Sequence, residues 1–534
     1  MLGRRAWLAL PAVFLAAFLA VPVAGLLAQL TPDGLAWLAQ PYASHRILGA
    51  VEQALLSLLL AAAFAFPLVL LHRRGVAGSR WMLALHAAPF VMPVFVVVFG
   101  LEATLGPTGW LAALGGPDVI GALGPLGAVA LANAFYNYGF AARLATITLD
   151  ARPRRLEEAA AVLGAPPRAV WRRVTGPLLA PAFAALALLV LLFCLGSFGV
   201  VFLLGQGHVD TLETLLYANR AGAFPRLDRS AALAVAQLAL NGTLLFLALR
   251  WQRRLRLPAE SAPRGGAIQP VRTSVAAMFA FASTLPLVAV LVGGFRLRGS
   301  WSLAPWRTLL DAAAPGHLVG FDLATALGWT LLYAATSALL ALLLALALAY
   351  GLRRLGGLRR AAEWLAALPL AASSLTLGYG LAAAYGAGLA VAGAMLLPAH
   401  SPLLVVAAHT VLAFPLAARV VVPAVDRLDV RGEEAAAVLG ARPAAQWRRV
   451  HLPALLPALL GAASLSAAAS LGDFGASLLV APGDALGLTV WVARHGGTGS
   501  FDPLARAQST ALAGLLLVLT LGLLSLLSPR RRAA

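Results

Sequence analysis

Along the 534 residues, apolar runs about as long as a membrane helix alternate with short arginine-rich segments from one end to the other. The runs are rich in leucine and alanine and show no period-2 alternation, so they read as helices rather than strands. A helix crosses about 30 Å of hydrocarbon in about 20 residues. In lipid, only helices or closed barrels satisfy every backbone hydrogen bond internally. Twelve spans follow. They lie near 7–29, 50–72, 81–103, 121–143, 177–204 and 229–250, then 273–295, 322–351, 361–385, 401–422, 453–480 and 506–528. The expected fold is an all-α polytopic membrane protein built as two homologous six-helix halves.

Composition agrees with this reading. The chain is 61% hydrophobic and 11% charged, with a mean hydropathy of +0.85, whereas soluble domains run near a quarter charged. A formal charge of +19 would suggest nucleic acid in a soluble protein. Here the basic residues, all arginines, cluster at 4–5, 73–80, 143–173, 250–256, 353–360, 419–449 and 530–532. With twelve spans these clusters share one face, as the positive-inside rule requires of cytoplasmic loops. Both termini are then cytoplasmic, and no nucleic-acid partner is needed. The other face is not free of arginine, Arg220, Arg226, Arg298 and Arg494 being among those it holds, but it has no comparable cluster. Arg4-Arg5 and the apolar stretch from Ala6 to Leu30 are too long for a signal peptide and read as the first span. The single cysteine, Cys194, allows neither an intramolecular disulfide nor a thiolate metal cluster.

An internal repeat sets the domain organisation. Glu157 to Val174 reads EEAAAVLGAPPRAVWRRV and Glu433 to Val450 reads EEAAAVLGARPAAQWRRV, with fifteen of eighteen positions identical at an offset of 276. The same offset pairs Arg143 with Arg419, Asp150 with Asp426, Pro181 with Pro457 and Asn133 with His409. It also pairs Gly196-Ser197-Phe198-Gly199 with Gly472-Asp473-Phe474-Gly475. The expected halves are 1–251, with its repeated loop at 157–177, and 273–534, with its loop at 433–453; residues 252–272 form a cytoplasmic linker.

The most similar stretch of the two halves is a cytoplasmic loop, which points to a partner that both copies must fit. Each copy reads as a helix, a glycine turn and a second short helix closed by proline. Its exposed face carries Trp171, Arg172 and Arg173 in one half and Trp447, Arg448 and Arg449 in the other, an aromatic beside a basic pair. Attraction to anionic lipid needs charge alone and would not preserve Glu, Gly and Pro at fixed spacing twice.

The segment resembles the EAA loop of permeases in ATP-binding-cassette importers: E-A-A, three residues, G, nine residues, I-x-L-P. Glu434, Ala435, Ala436, Gly440, Leu452 and Pro453 match it after Glu433, with Val450 in place of isoleucine. Glu158, Ala159, Ala160, Gly164 and Pro177 match it after Glu157, with Val174 and Gly176 as departures. The resemblance implies the type I permease fold and loops that sit in grooves of two ATPase subunits. It also implies an extracytoplasmic substrate-binding protein and residence in the cytoplasmic (inner) membrane of a bacterium. A chain without lysine cannot hold the P-loop lysine, so ATP is hydrolysed by the partner and this chain binds no cofactor of its own. Fused permeases of this length resemble the thiamine and ferric-iron branch. Pro93 to Gly100, Gly109 to Ala112 and Gly205 to Glu213 look more like the thiamine members. Thiamine is the favoured cargo, with ferric iron and other small solutes such as aminophosphonates as alternatives.

Ionisable and amide groups inside spans are the candidates for a translocation path. Asp473, whose repeat partner is the neutral Ser197, could attract a cation or could hydrogen-bond a neighbouring loop and only position its helix. Asn133, Asn137 and His409 either line the path or join helices. Arg143 and Arg419 read as snorkelling helix-end residues, Trp110 and Trp301 as interfacial anchors, and Glu102 and Glu213 as groups near the external surface. Neither a catalytic constellation nor a metal-ligand set is legible: H-E-x-x-H and G-x-S-x-G are both missing. A secondary transporter shares the helix count but has no use for twin cytoplasmic loops.

Overall fold

The computed structural model describes residues 6–73, 76, 79–151, 154–222, 224–252, 270–353, 359–391, 394–397, 401–496 and 502–527. The expected linker, apart from its ends, and the arginines at 4–5 and 530–532 lie outside these residues. Eleven helices among the described residues are long and apolar enough to cross a membrane. A bent pair, Ala362–Ala371 and Ser374–Tyr385, turns through 96° and makes twelve if counted as one span.

Several runs expected as continuous are broken. The 81–103 and 361–385 runs each contain a 3-10 turn, Ala88–Val91 and Leu368–Ala371, with Pro89 and Pro369 as its second residue. Proline lacks the N–H that would continue the helical ladder. The runs 177–204 and 453–480 stop at Gly196 and Gly472 before resuming as Phe198–Leu204 and Gly475–Val480. Hydropathy cannot reveal such breaks, because the apolar character continues across them.

Many inward-facing positions on the helices are small residues, while a number of large ones face outward. On Pro41–Arg73, Ala43, Ala50, Ala54 and Ala61 are buried. Against that helix packs Val119–Asp150, whose Ala128, Ala132 and Asn133 are buried. Ala61 is fully buried while Leu59 is 68% exposed. Lipid is as apolar as leucine, so close backbone approach between small residues holds such helices together. Gly139 shows the limit: a Cβ there would stand 1.6 Å from the carbonyl oxygen of His86.

Two compact units result, and they cut across the halves 1–251 and 273–534. One comprises residues 31–305 and 496–514; the other comprises 1–30, 306–495 and 515–534. In the first unit, Thr273–Gly293 packs among first-half helices. His86 Nε2 lies 2.9 Å from Ala280 O, and the Phe64 and Phe279 rings are 5.4 Å apart. In the second unit, Trp7–Ala28 packs on Leu323–Leu352 and Ser374–Tyr385. Each half has therefore given its first helix to the unit built mainly from the other. The only strands among the described residues are two antiparallel hairpins, Arg296–Leu297 with Ser300–Trp301 and Leu389–Val391 with Ala394–Leu397.

Candidate functional site

The two repeated loops have the same local fold. Helix Arg154–Val162 leads to Gly164 at φ +81°, and Val430–Val438 leads to Gly440 at φ +75°. Glycine reaches this left-handed conformation without the strain a side chain meets. The chain restarts as Pro167–Val170 or Pro443–Gln446 and widens into a π turn, Trp171–Thr175 or Trp447–His451. From there it runs straight into the membrane helices Gly176–Leu195 and Leu452–Gly472. Pro177 and Pro453 therefore do not close the short helix, as expected from sequence, but sit inside the first turn of the following span. The π turn makes this possible: Gly176 N–H donates to Trp171 O and Leu452 N–H to Trp447 O, so the frame shifts where proline offers no donor.

The predicted face is accessible. Arg172, Arg173, Arg448 and Arg449 are exposed, as are Trp171 and Trp447. Glu158, Ala159, Glu434 and Ala435 are exposed too, while Ala160 and Ala436 are half-buried. Glu157 and Glu433 are turned towards their own unit. Thr175 Oγ1 donates to Glu157 Oε1 at 2.8 Å. Glu433 Oε1 accepts from Arg353 at 2.7 Å and lies 3.4 Å from His451 Nε2. Thr175 and His451 are equivalent in the repeat, so in both loops the first glutamate faces the π turn.

The loop tip adds residues that no motif in the sequence singles out. Val162, Leu163 and Val438 are 87% exposed and Leu439 is 85% exposed. A doubled apolar pair presented just before a glycine turn is an unsatisfied contact surface. The signal was present in the repeated V-L-G, between helix and turn.

The five expected path residues form two separate clusters. In the unit containing 31–305, Asn133 is the hub. Its Nδ2 donates to Gln53 Oε1 at 3.1 Å, its Oδ1 accepts from the Ser197 hydroxyl, and its carbonyl accepts from Asn137 at 2.9 Å. Gln53 also donates to Cys194 O at 2.9 Å. In the unit containing 306–495, His409 Nε2 lies 3.0 Å from Asp473 Oδ2. His409 Nδ1 is 2.7 Å from Ser470 Oγ, and its Nε2 is 3.0 Å from Ser477 Oγ. The other carboxylate oxygen of Asp473 accepts from the Ser374 hydroxyl. The edge of Tyr333 meets the His409 ring at 6.1 Å between centroids. Gln53 and Ser374, like the serines around His409, belong to these clusters and were missed; they lie in apolar runs with nothing local to mark them.

Glu213, expected near the surface, is 1% exposed and accepts from Gln237 at 2.7 Å, because its helix Leu212–Ala221 packs against Leu227–Gln252. Glu102 pairs with Arg506 at 3.2 Å on the wall of a cavity of about 890 Å³. Trp110, Gln206, Arg296 and Arg298 also line that cavity. Gln206 and Arg298, at φ 49° and 51°, are the only non-glycine residues with left-handed backbone among the described residues. Trp301 is 75% exposed on its hairpin.

Residues 341–532 match the family described as binding-protein-dependent transport system inner membrane component. A thiamine transport system permease protein of Haemophilus influenzae is 30% identical over 341 residues, 62% of this chain and 59% of that one. Its namesake in Brucella abortus is 28% identical over 517 residues, 91% of this chain and 86% of that one. That of Escherichia coli is 27% identical over 492 residues, 90% and 87% of the two chains.

Proposed function

We propose that this chain, a permease of the binding-protein-dependent import family with both permease halves fused, carries thiamine across the inner membrane of a bacterium. The twin loops, alike in sequence, in their left-handed glycine and in their exposed apolar tip, are the observation that supports the coupling role. Two equal loops suit two ATPase subunits, one on each seat. Val162, Leu163, Trp171 and Arg172 form one seat, and Val438, Leu439, Trp447 and Arg448 the other. The ATPase closes on its nucleotide, and the loops pass that motion to the spans they run into without a break. A continuous helix transmits displacement where a flexible tether would absorb it.

The cargo assignment draws on relatives that align over nine-tenths of the chain and whose names specify thiamine. Arginine clusters beside the repeated loops favour an orientation with those loops and both termini in the cytoplasm. In that orientation the cavity bounded by Glu102, Arg298 and Arg506 opens outward and is the entry space for cargo handed over by a binding protein.

The test is ATP-dependent uptake of labelled thiamine and of ferric iron into proteoliposomes holding this chain, its ATPase and its binding protein. Uptake of thiamine is the expected result. Uptake of iron alone would keep the machine and replace the cargo. Equal uptake without ATP would overturn the importer reading in favour of a secondary transporter.

A further inference from the structure

The internal repeat provides a control for one buried charge. Asn133 and Ser197 stand at the positions that His409 and Asp473 occupy in the second half, and in each half the two side chains touch. The first half packs these positions with neutral groups, so the fold does not require charge there. An ionisable pair inside a membrane-spanning bundle is costly and marks a functional position.

The surroundings of Asp473 suit a cation. It follows the C-terminus of Leu452–Gly472, where the span breaks before Gly475–Val480. The end of a helix presents unpaired carbonyls with partial negative charge, and broken membrane helices use such ends to hold cations. The Asp473 side chain is 8% exposed and bonds Ser374, the first residue of Ser374–Tyr385, itself half of the bent pair. One carboxylate thus joins the broken ends of two spans. His409 has somewhere else to go: hydroxyls of Ser470 and Ser477 already stand at its two ring nitrogens. It can release Asp473 without leaving a buried nitrogen unpaired.

We propose that Asp473 is the cation subsite of the second half and His409 its exchangeable partner. When the two broken spans part, the positively charged ring of the cargo contacts the Asp473 carboxylate, while the imidazole keeps its bonds to Ser470 and Ser477. The inference rests on the reading of the cargo as thiamine, whose thiazolium carries a permanent positive charge. It adds the residue that recognises that charge and the asymmetry between the halves: the Asn133–Ser197 pair is a packing contact only.

The experiment uses the full importer in proteoliposomes, with the variant H409N/D473S, which copies the first half's pair, and the isosteric Asp473→Asn. Co-purification of the ATPase reports that each variant is folded. Thiamine uptake is expected to fall roughly tenfold or more in both, as loss of one well-placed charge contact implies. The fall should appear in the maximal rate, while the concentration of loaded binding protein at half-maximal rate stays unchanged. Asp473→Glu should restore part of the rate, and His409→Asn alone should keep most of it. Uptake within about twofold of wild type in either H409N/D473S or Asp473→Asn would overturn the proposal, since charge contacts worth less than that are within ordinary mutational scatter. A wild-type importer that ignores thiamine would instead sink the cargo reading, and this inference with it; the two failures are read from different samples.

Discussion

Tyr385 Oη donates to the carbonyl oxygen of Ala17 at 2.7 Å, across 368 residues of sequence. In the same unit, Tyr379 Oη donates to Gln29 Oε1 at 2.5 Å. Gly380 lies so near Pro22 that a Cβ there would approach its carbonyl oxygen to 3.0 Å. The first span of the chain is thus held by a helix of the second half. Severing the linker should leave that attachment intact. Residues 1–251 and 273–534, expressed as separate polypeptides in one cell, should co-purify from detergent. Tyr385→Phe should weaken the association by about 0.6 kcal/mol, the typical worth of a hydrogen bond between membrane helices. Recovery of the fragments separately would refute the exchange of first helices.

The left-handed glycines make a second prediction. Nothing stands within 4 Å of a Cβ built at Gly164 or Gly440, so a substitution there acts through backbone conformation alone. Left-handed backbone costs a non-glycine residue about 1–2 kcal/mol, and a β-branched one is a genuine outlier. Gly440→Val should therefore leave membrane insertion unchanged while reducing the ATPase retained on an affinity column. Full retention together with normal uptake would show that the turn does not set the seat.

Val438 and Leu439 can be changed without touching the core. Replacing both by aspartate should shift the thermal midpoint of the isolated permease very little, since surface substitutions stay within about 0.5 kcal/mol. Pulldown of the ATPase should nevertheless be lost at that seat, because the change would bury two unpaired carboxylates in the contact. The same change at Val162 and Leu163 tests whether both seats are needed for uptake.

Glu433 and Arg353 form a partly exposed ion pair, with side chains 27% and 19% accessible. Glu433→Gln and Arg353→Gln should each destabilise modestly. A double-mutant cycle on thermal unfolding should give a coupling of about 0.2–1 kcal/mol, the usual range for such pairs. Zero coupling would mean that the glutamate does not hold the loop through this arginine. Uptake should fall more than stability does, because the pair fixes the angle at which the loop leaves the span.

Gly139 predicts the opposite balance. A Cβ 1.6 Å from His86 O meets backbone, which cannot swing aside as a side chain does. Gly139→Ala should cost at least about 1–3 kcal/mol through overpacking, seen as reduced yield of folded protein. Normal yield and melting would show that the two helices can separate there at little cost.

Much of the architecture is legible in the order of residues. Long apolar runs mark the spans because hydrocarbon rewards composition over a fixed length, and that test needs no knowledge of neighbours. Arginine placement yields a consistent orientation, and the repeat yields both loops with their glycine turns. The breaks at Ala88–Val91, Leu368–Ala371, Ser197 and Asp473 escape such a reading, since an interrupted helix keeps the same residues and changes only which backbone bonds form. The exposed tips at Val162-Leu163 and Val438-Leu439 escape it for a related reason: in a chain so rich in valine and leucine, two more attract no notice until their surroundings are known.

Sequence alone determined that this chain is a helical membrane protein duplicated about a repeated loop, because period, length and spacing are properties of a line of residues. Only the tertiary structure decided how the pieces associate. It moved the first helix of each half into the unit built from the other, turned Glu157 and Glu433 inward, and set His409 against Asp473 where Asn133 meets Ser197. Those outcomes depend on which small residues let two backbones approach and which buried polar groups find partners. Both are relations between distant parts of the chain, and no local pattern encodes them.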